Sequence, residues 1–187
     1  MPSISLQHWR TERMLNLQAI DGQCAASLAL APPDPRLCEE NLRGYILLLS
    51  AHFQGFCRDL YTECAQIVGG TMPPTLQSMI QMQCTASLAL DRGNPNRDNI
   101  RRDFERFGAP LNWVATDPAN HGRLRDLERL NGWRNVAAHH NVVPPGGLPS
   151  HSVLQNWRDS CDGIATFLDG FMYNRLLAAL GIVPWAP

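Results

Sequence analysis

The sequence predicts an all-α protein, an up-and-down helical bundle built on two long helices with shorter helices between them. Apolar residues recur at steps of three and four along most of the chain, which is the period of an amphipathic helix. No alternating run of useful length indicates a β-strand. The chain has 187 residues, of which 44% are hydrophobic and 18% charged. That balance is typical of a globular protein.

The first long helix is predicted to begin after Pro35. Its apolar stripe runs for about thirty residues, or about 45 Å, and Gly69-Gly70 predicts its end. Residues 1–34 are expected to form an N-terminal helical arm, with an amphipathic helix over about 5–30, packed on a bundle made by residues 35–187. The stripe of the first long helix consists of Leu42, Ile46, Leu49, Phe53, Phe56, Leu60, Cys64 and Ile67.

The second long helix is predicted from about Ser150 to Leu180, and Gly181 with Pro184 marks its end. Its apolar stripe consists of Val153, Trp157, Cys161, Ile164, Leu168 and Phe171. Shorter helices are expected at about 74–90, 97–107 and 118–141, with connections at 31–35, 69–74, 109–117 and 142–149.

The composition excludes several classes of function. The formal net charge is −1, which argues against a protein that coats nucleic acid or anionic membranes, so any contact with nucleic acid must come from a local patch. All 16 basic residues are arginines, and the chain has no lysine. Schiff-base chemistry, a lysine general base and the Walker phosphate loop are therefore excluded.

Cysteine usage and the first residues predict a cytoplasmic protein. The six cysteines form no Cys-x-x-Cys pair, and the N-terminal sequence lacks the basic-then-apolar order of a signal peptide. We therefore expect reduced thiols in the core. The longest apolar run, 44–53, is far shorter than a membrane span, so no membrane association is expected.

The residues with the most chemical potential lie at the end of the predicted 118–141 helix. On a regular helix Arg134 and His139 are about 140° apart, whereas Asn135 shares a face with His139 and can fix the imidazole tautomer through a hydrogen bond. Arg134 and His139 can meet on one phosphate if the helix end unwinds, or if a second copy of the motif faces the first. Such a pair allows metal-free cleavage of RNA.

This motif resembles the signature of the HEPN superfamily, in which an arginine, usually followed by a polar residue, precedes a histidine by four to six residues. Here Arg134-Asn135 and His139 stand at a helix end, ahead of the last long helix. The stretch Arg43–Leu60 is similar to the second-helix pattern of stand-alone bacterial HEPN proteins. The resemblance covers roughly residues 35–180.

The resemblance implies a cofactor-free, metal-independent endoribonuclease. HEPN domains are helical bundles that commonly dimerise so that two motifs meet in a cleft. Many serve in toxin–antitoxin, CRISPR or anti-phage systems and leave a 2′,3′-cyclic phosphate and a 5′-hydroxyl. RNA, a second copy of the chain and an antitoxin or defence-system protein are therefore the expected partners.

The resemblance also assigns roles within the motif. Arg134 would bind the phosphate, His139 would act as acid or base, and Asn135 would be the polar residue. His140 satisfies the spacing equally well, so the choice between the two histidines stays open. HEPN toxins paired with a nucleotidyltransferase antitoxin have a tyrosine two residues after the histidine, where this chain has Asn141. That departure argues against a modifying antitoxin of this kind.

Other interpretations of these residues are open. Arg123, about 20° from Arg134 around the helix, fits an RNA-backbone track or a dimer seam, and Trp133 is a candidate for base stacking. Arg134 and His139 can instead simply complement the helix dipole in a catalytically silent bundle that acts as an interaction module. A third reading makes His139, His140 and His151 the metal ligands of a helical enzyme.

Overall fold

A computed structural model describes residues 1–32, 34–139 and 147–185. Within these ranges all regular secondary structure is helical and no strand occurs, which confirms the all-α prediction. None of these helices is both long and apolar enough to cross a membrane. The elements in chain order are α1 (Ile4–His8), a π-helical turn (Trp9–Arg13), α2 (Met14–Leu28), α3 (Pro35–Gly70), α4 (Pro74–Thr85), α5 (Ala89–Arg92), α6 (Arg97–Phe104), a 3-10 turn (Glu105–Phe107), α7 (Trp113–Thr116), α8 (Asn120–Ala138) and α9 (His151–Leu180).

The two long helices are present, and their ends follow the predicted signals. The 36-residue α3 begins with Pro35 after Asp34, whose carboxylate accepts hydrogen bonds from the first backbone N–H groups of the helix. The 30-residue α9 ends at Gly181, which has a left-handed backbone with φ of 68°. Its N–H donates to the carbonyl of Leu177 at 2.9 Å, which closes the last turn.

The N-terminal segment is an integral part of the bundle. Trp9 is fully buried, and Arg13 forms an ion pair with Asp59 of α3 at 2.6 Å. At the opposite end of the pair of helices, the Cys38 thiol donates to the carbonyl of Ser27 at 3.2 Å. These two contacts show that α2 runs antiparallel to α3.

The last two helices form a second antiparallel pair. The Ser160 hydroxyl of α9 donates to Asp126 of α8 at 2.9 Å, and the Arg123 side chain lies directly over Gly163, where an added Cβ would collide with it. Helix α3 packs against α2, α8 and α9. The four helices therefore form an up-and-down bundle around α3.

The buried row of α9 differs from the predicted stripe at both ends. Val153 is 36% exposed and Phe171 is half-buried, whereas their neighbours Leu154 and Met172 are fully buried. Because α9 packs against both α3 and α8, its buried face is wider than a single stripe.

The prediction of one helix over 74–90 is wrong, because this segment contains α4 and the start of α5, separated by a turn. Helix α4 ends at Thr85, and Ser87 takes a positive φ of 56° before α5 begins. The turn is stabilised from outside: the Arg106 guanidinium donates to the carbonyls of Ala86 and Ser87 at 2.9 and 3.0 Å. The predicted 109–117 connection also contains a helical turn, α7, because Trp113 packs into the core.

The six cysteines are free thiols, as the sequence predicts. Burial raises the pKa of Cys24 to about 11. Burial also raises the pKa of Cys57 and Cys64 well above the ordinary value. These thiols are therefore protonated packing groups at neutral pH.

Candidate active site

The predicted motif lies at the C-terminal end of α8. The inward face of this helix is anchored by buried residues, among them Leu127, Leu130 and Ala137. The chain remains α-helical through Ala138, and His139 is the C-cap, with φ of −104° and ψ of 8°. Its backbone N–H donates to the carbonyl of Asn135 at 3.2 Å. The helix therefore holds its regular geometry up to the histidine itself.

That regularity keeps Arg134 and His139 apart around the helix axis. Arg134 is half-buried and His139 is exposed, and five residues of regular helix separate their directions by about 140°. Unwinding before His139, the first of the two arrangements considered above, does not occur. Of the two predicted arrangements, a second copy of the motif facing the first is the one that stays a prediction.

Asn135 forms a side-chain cluster with Arg134 and with a residue the sequence did not indicate. Its Oδ1 accepts a hydrogen bond from Asn94 Nδ2 at 3.1 Å and another from Arg134 Nη1 at 3.3 Å. The expected side-chain bond from Asn135 to His139 is replaced by these contacts, since the bond that joins the two residues is between backbone groups. The structure thus brings Arg134, Asn135 and Asn94 together.

The loop that provides Asn94 is held in place by amide side chains from three helices. Gln54 of α3, Asn99 of α6 and Asn131 of α8 each donate to carbonyls in or next to this loop, residues 93–96. The Gly-Asn-Pro-Asn sequence signals a loop, but no sequence pattern relates it to α8, which is distant in the chain. The bonds are Gln54 Nε2 to Leu90 at 2.6 Å and to Gly93 at 2.9 Å, Asn99 Nδ2 to Asn94 at 2.9 Å, and Asn131 Nδ2 to Pro95 at 3.3 Å.

Arg123 is outside this cluster and is used within the fold. Its Nη1 donates to Asp117 at 2.6 Å and to Asn120 at 3.0 Å. The Ala119 backbone N–H and the Arg123 guanidinium lower the pKa of Asp117. Arg123 is about 16 Å from Arg134 along α8. These contacts favour a structural role over the predicted contact with RNA.

Trp133 and His140 complete the predicted site. Trp133 is half-buried and packs against the hydrophobic core, so only part of the ring is accessible for stacking on a base. His140, together with the start of the predicted 142–149 connection, lies outside the described residues. The choice between His139 and His140 therefore stays open.

His151, the third member of the metal hypothesis, is bound elsewhere. Its Nε2 lies 2.6 Å from Asp21 Oδ1, and Asp21 also accepts hydrogen bonds from Gln155 and Arg158. This cluster ties α2 to the start of α9. Among the described residues no group of three metal-ligating side chains occurs.

No family model matches this chain, and no curated protein or solved structure shows significant similarity to it. The HEPN resemblance therefore rests on the motif, on its position within a helical chain and on the pattern of Arg43–Leu60.

Proposed function

We propose that this protein is a HEPN-type, metal-independent endoribonuclease that cleaves RNA as a homodimer and serves as a toxin or anti-phage effector in a bacterial cytoplasm. The observation that supports it is the arrangement at the end of α8. A guanidinium bonded to a fixed amide, Arg134 with Asn135, lies one turn before an exposed histidine, His139.

The chemistry requires a base, an acid and a cation at one phosphate. A histidine removes the proton from the 2′-hydroxyl, the 2′-oxygen attacks phosphorus, and the bond to the 5′-oxygen breaks as that oxygen gains a proton. The products are a 2′,3′-cyclic phosphate and a 5′-hydroxyl. Arg134 stabilises the charge that develops on the phosphoryl oxygens. A two-fold axis between two motifs would place two histidines and two arginines around the phosphate, enough for both proton transfers.

The test compares matched variants on the same helix. His139→Ala and Arg134→Ala should each abolish cleavage of mixed RNA in EDTA. His121→Ala and Arg125→Ala are the controls, because both residues are exposed on α8 near its other end. Light scattering should show two-chain particles for every variant. Equal cleavage by all five proteins would indicate a contaminating nuclease and contradict the proposal.

A second candidate is an interaction module without catalysis, and α4 supports it. No residue of this helix is buried, and Leu76, Met79 and Met82 are 43%, 64% and 70% exposed on one side of it. A folded dimer that leaves RNA intact while a partner binds through this face would favour the second candidate. In that case Arg134→Ala and His139→Ala should leave partner binding unchanged.

A further inference from the structure

We propose that Asn94 is a positioning residue for the candidate active site. It fixes the orientation of the Asn135 amide and, through that amide, the position of the Arg134 guanidinium. The effect of Asn94 on catalysis rests on the proposed function. The hydrogen-bonded chain from Asn94 to Arg134 can be tested separately.

The donors around Asn135 determine which way its amide points. An amide oxygen has two acceptor positions, and here Asn94 Nδ2 and Arg134 Nη1 occupy both, at 3.1 and 3.3 Å. The amide NH2 group of Asn135 is therefore turned away from these two donors and can donate to a substrate. Arg134 uses one N–H in this contact, and its other N–H groups make no hydrogen bond to residues within 1–32, 34–139 and 147–185.

Asn94 can fix the amide because its own backbone is held rigidly. The carbonyl of Asn94 accepts from Asn99 at 2.9 Å, and the next carbonyl, of Pro95, accepts from Asn131 at 3.3 Å. Gly93 permits this close approach, since a Cβ there would lie 2.7 Å from Asn99 Nδ2. The donor is thus oriented before any substrate arrives, which is the property that makes polar groups effective in catalysis.

Without the Asn94 donor, the Asn135 amide is free to rotate. The Asn135 oxygen then has one hydrogen-bond partner instead of two, and the Arg134 guanidinium that bonds to it is no longer held in one position. We expect Asn94→Ala to lower kcat by about 2- to 10-fold, the range that one neutral hydrogen bond corresponds to. KM should change little, because the phosphate-binding charge of Arg134 is still present.

The first experiment uses NMR and needs no activity. In the full-length protein, Asn94→Ala should shift the side-chain NH2 resonances of Asn135 and the Nε–H resonance of Arg134. Asn174→Ala is the control: this exposed asparagine of α9 lies eleven residues beyond Gly163, the contact of Arg123, and so at the far end of the bundle from Arg134. Unchanged Asn135 and Arg134 resonances in Asn94→Ala would overturn the proposal.

The second experiment is a double-mutant cycle on RNA cleavage. If Asn94 acts through Asn135, Asn94→Ala should reduce kcat in the wild type and have no further effect in Asn135→Ala. Asn94→Asp keeps the shape but removes the donor, so it should not restore kcat, whereas a packing role would tolerate it. Independent, multiplying losses in the double variant would overturn the proposal. A wild type without RNase activity refutes the proposed function, and the NMR result then decides the positioning role alone.

Discussion

Replacing Arg123 and Arg134 separately by alanine should separate stability from activity on a single helix. Arg123 bonds to the buried Asn120 at 3.0 Å, and its aliphatic stem covers Gly163. Losing that bond and that packing should cost about 1 to 2 kcal/mol, while the exposed ion pair with Asp117 adds little. For a chain of this size the midpoint of thermal unfolding should fall by about 2 to 8 °C.

Arg134→Ala should show the opposite behaviour. Its one hydrogen bond to the described part of the chain, to its neighbour Asn135, is 3.3 Å long and exposed, so removing it should change the free energy of unfolding by less than about 0.5 kcal/mol. RNA cleavage should disappear, because in the proposed mechanism the guanidinium stabilises the charge that develops on the phosphate.

Two measurements on the same samples decide between the roles of the two arginines. Circular dichroism gives the unfolding midpoint, and cleavage of RNA is measured well below that temperature, where both variants are folded. The reasoning would be refuted by an Arg123→Ala variant as stable as the wild type but inactive on RNA, since that result would place Arg123 in the RNA site.

Three further predictions concern stability. Trp9→Ala should lower the free energy of unfolding by about 3 to 5 kcal/mol, because Trp9 is fully buried. A decrease below about 1 kcal/mol in urea unfolding would mean that the N-terminal segment contributes little to the stability of the bundle. Ser87→Gly should raise the free energy of unfolding by about 0.5 to 1 kcal/mol, because glycine adopts the positive φ at this position without strain. A lower midpoint of thermal unfolding would contradict this prediction. Burial raises the pKa of Tyr45 to about 12, so the folded state keeps this proton longer than the unfolded state. Stability should therefore fall as pH rises from about 10 towards 12. In urea unfolding, the stability of Tyr45→Phe should fall less than that of the wild type over this pH range. An equal fall in both proteins would refute the assignment of this pH dependence to Tyr45.

The sequence predicted the long helices well because their signals are local. Pro35 and Gly69-Gly70 lie at the ends of α3, and Gly181 ends α9. The break between α4 and α5 could not be predicted in this way, because the carbonyls of that turn are bound by Arg106, which comes later in the chain. Helical periodicity cannot reveal a stabilising contact that depends on tertiary structure.

In the candidate site, too, the sequence indicates local features but not tertiary contacts. The sequence motif predicted a side-chain bond from Asn135 to His139, but the Asn135 side chain accepts a hydrogen bond from Arg134 instead. The Asn94 contact joins a loop to a helix far along the chain, so only the three-dimensional packing shows it. Arg123 was predicted from its angle around the helix, but that angle contains no information about Asp117, to which Arg123 bonds, or about Gly163, which its side chain covers.

The most direct test of the central claim is the chemistry of the product ends. A short RNA is incubated with the wild type and with His139→Ala in EDTA, and the masses of the fragments are measured by mass spectrometry. We expect 2′,3′-cyclic phosphate and 5′-hydroxyl ends from the wild type alone, and no cleavage where a 2′-deoxy nucleotide replaces the scissile one. Cleavage that needs a divalent metal, leaves 5′-phosphate ends or persists when His139 and His140 are both replaced by alanine would contradict the proposed function.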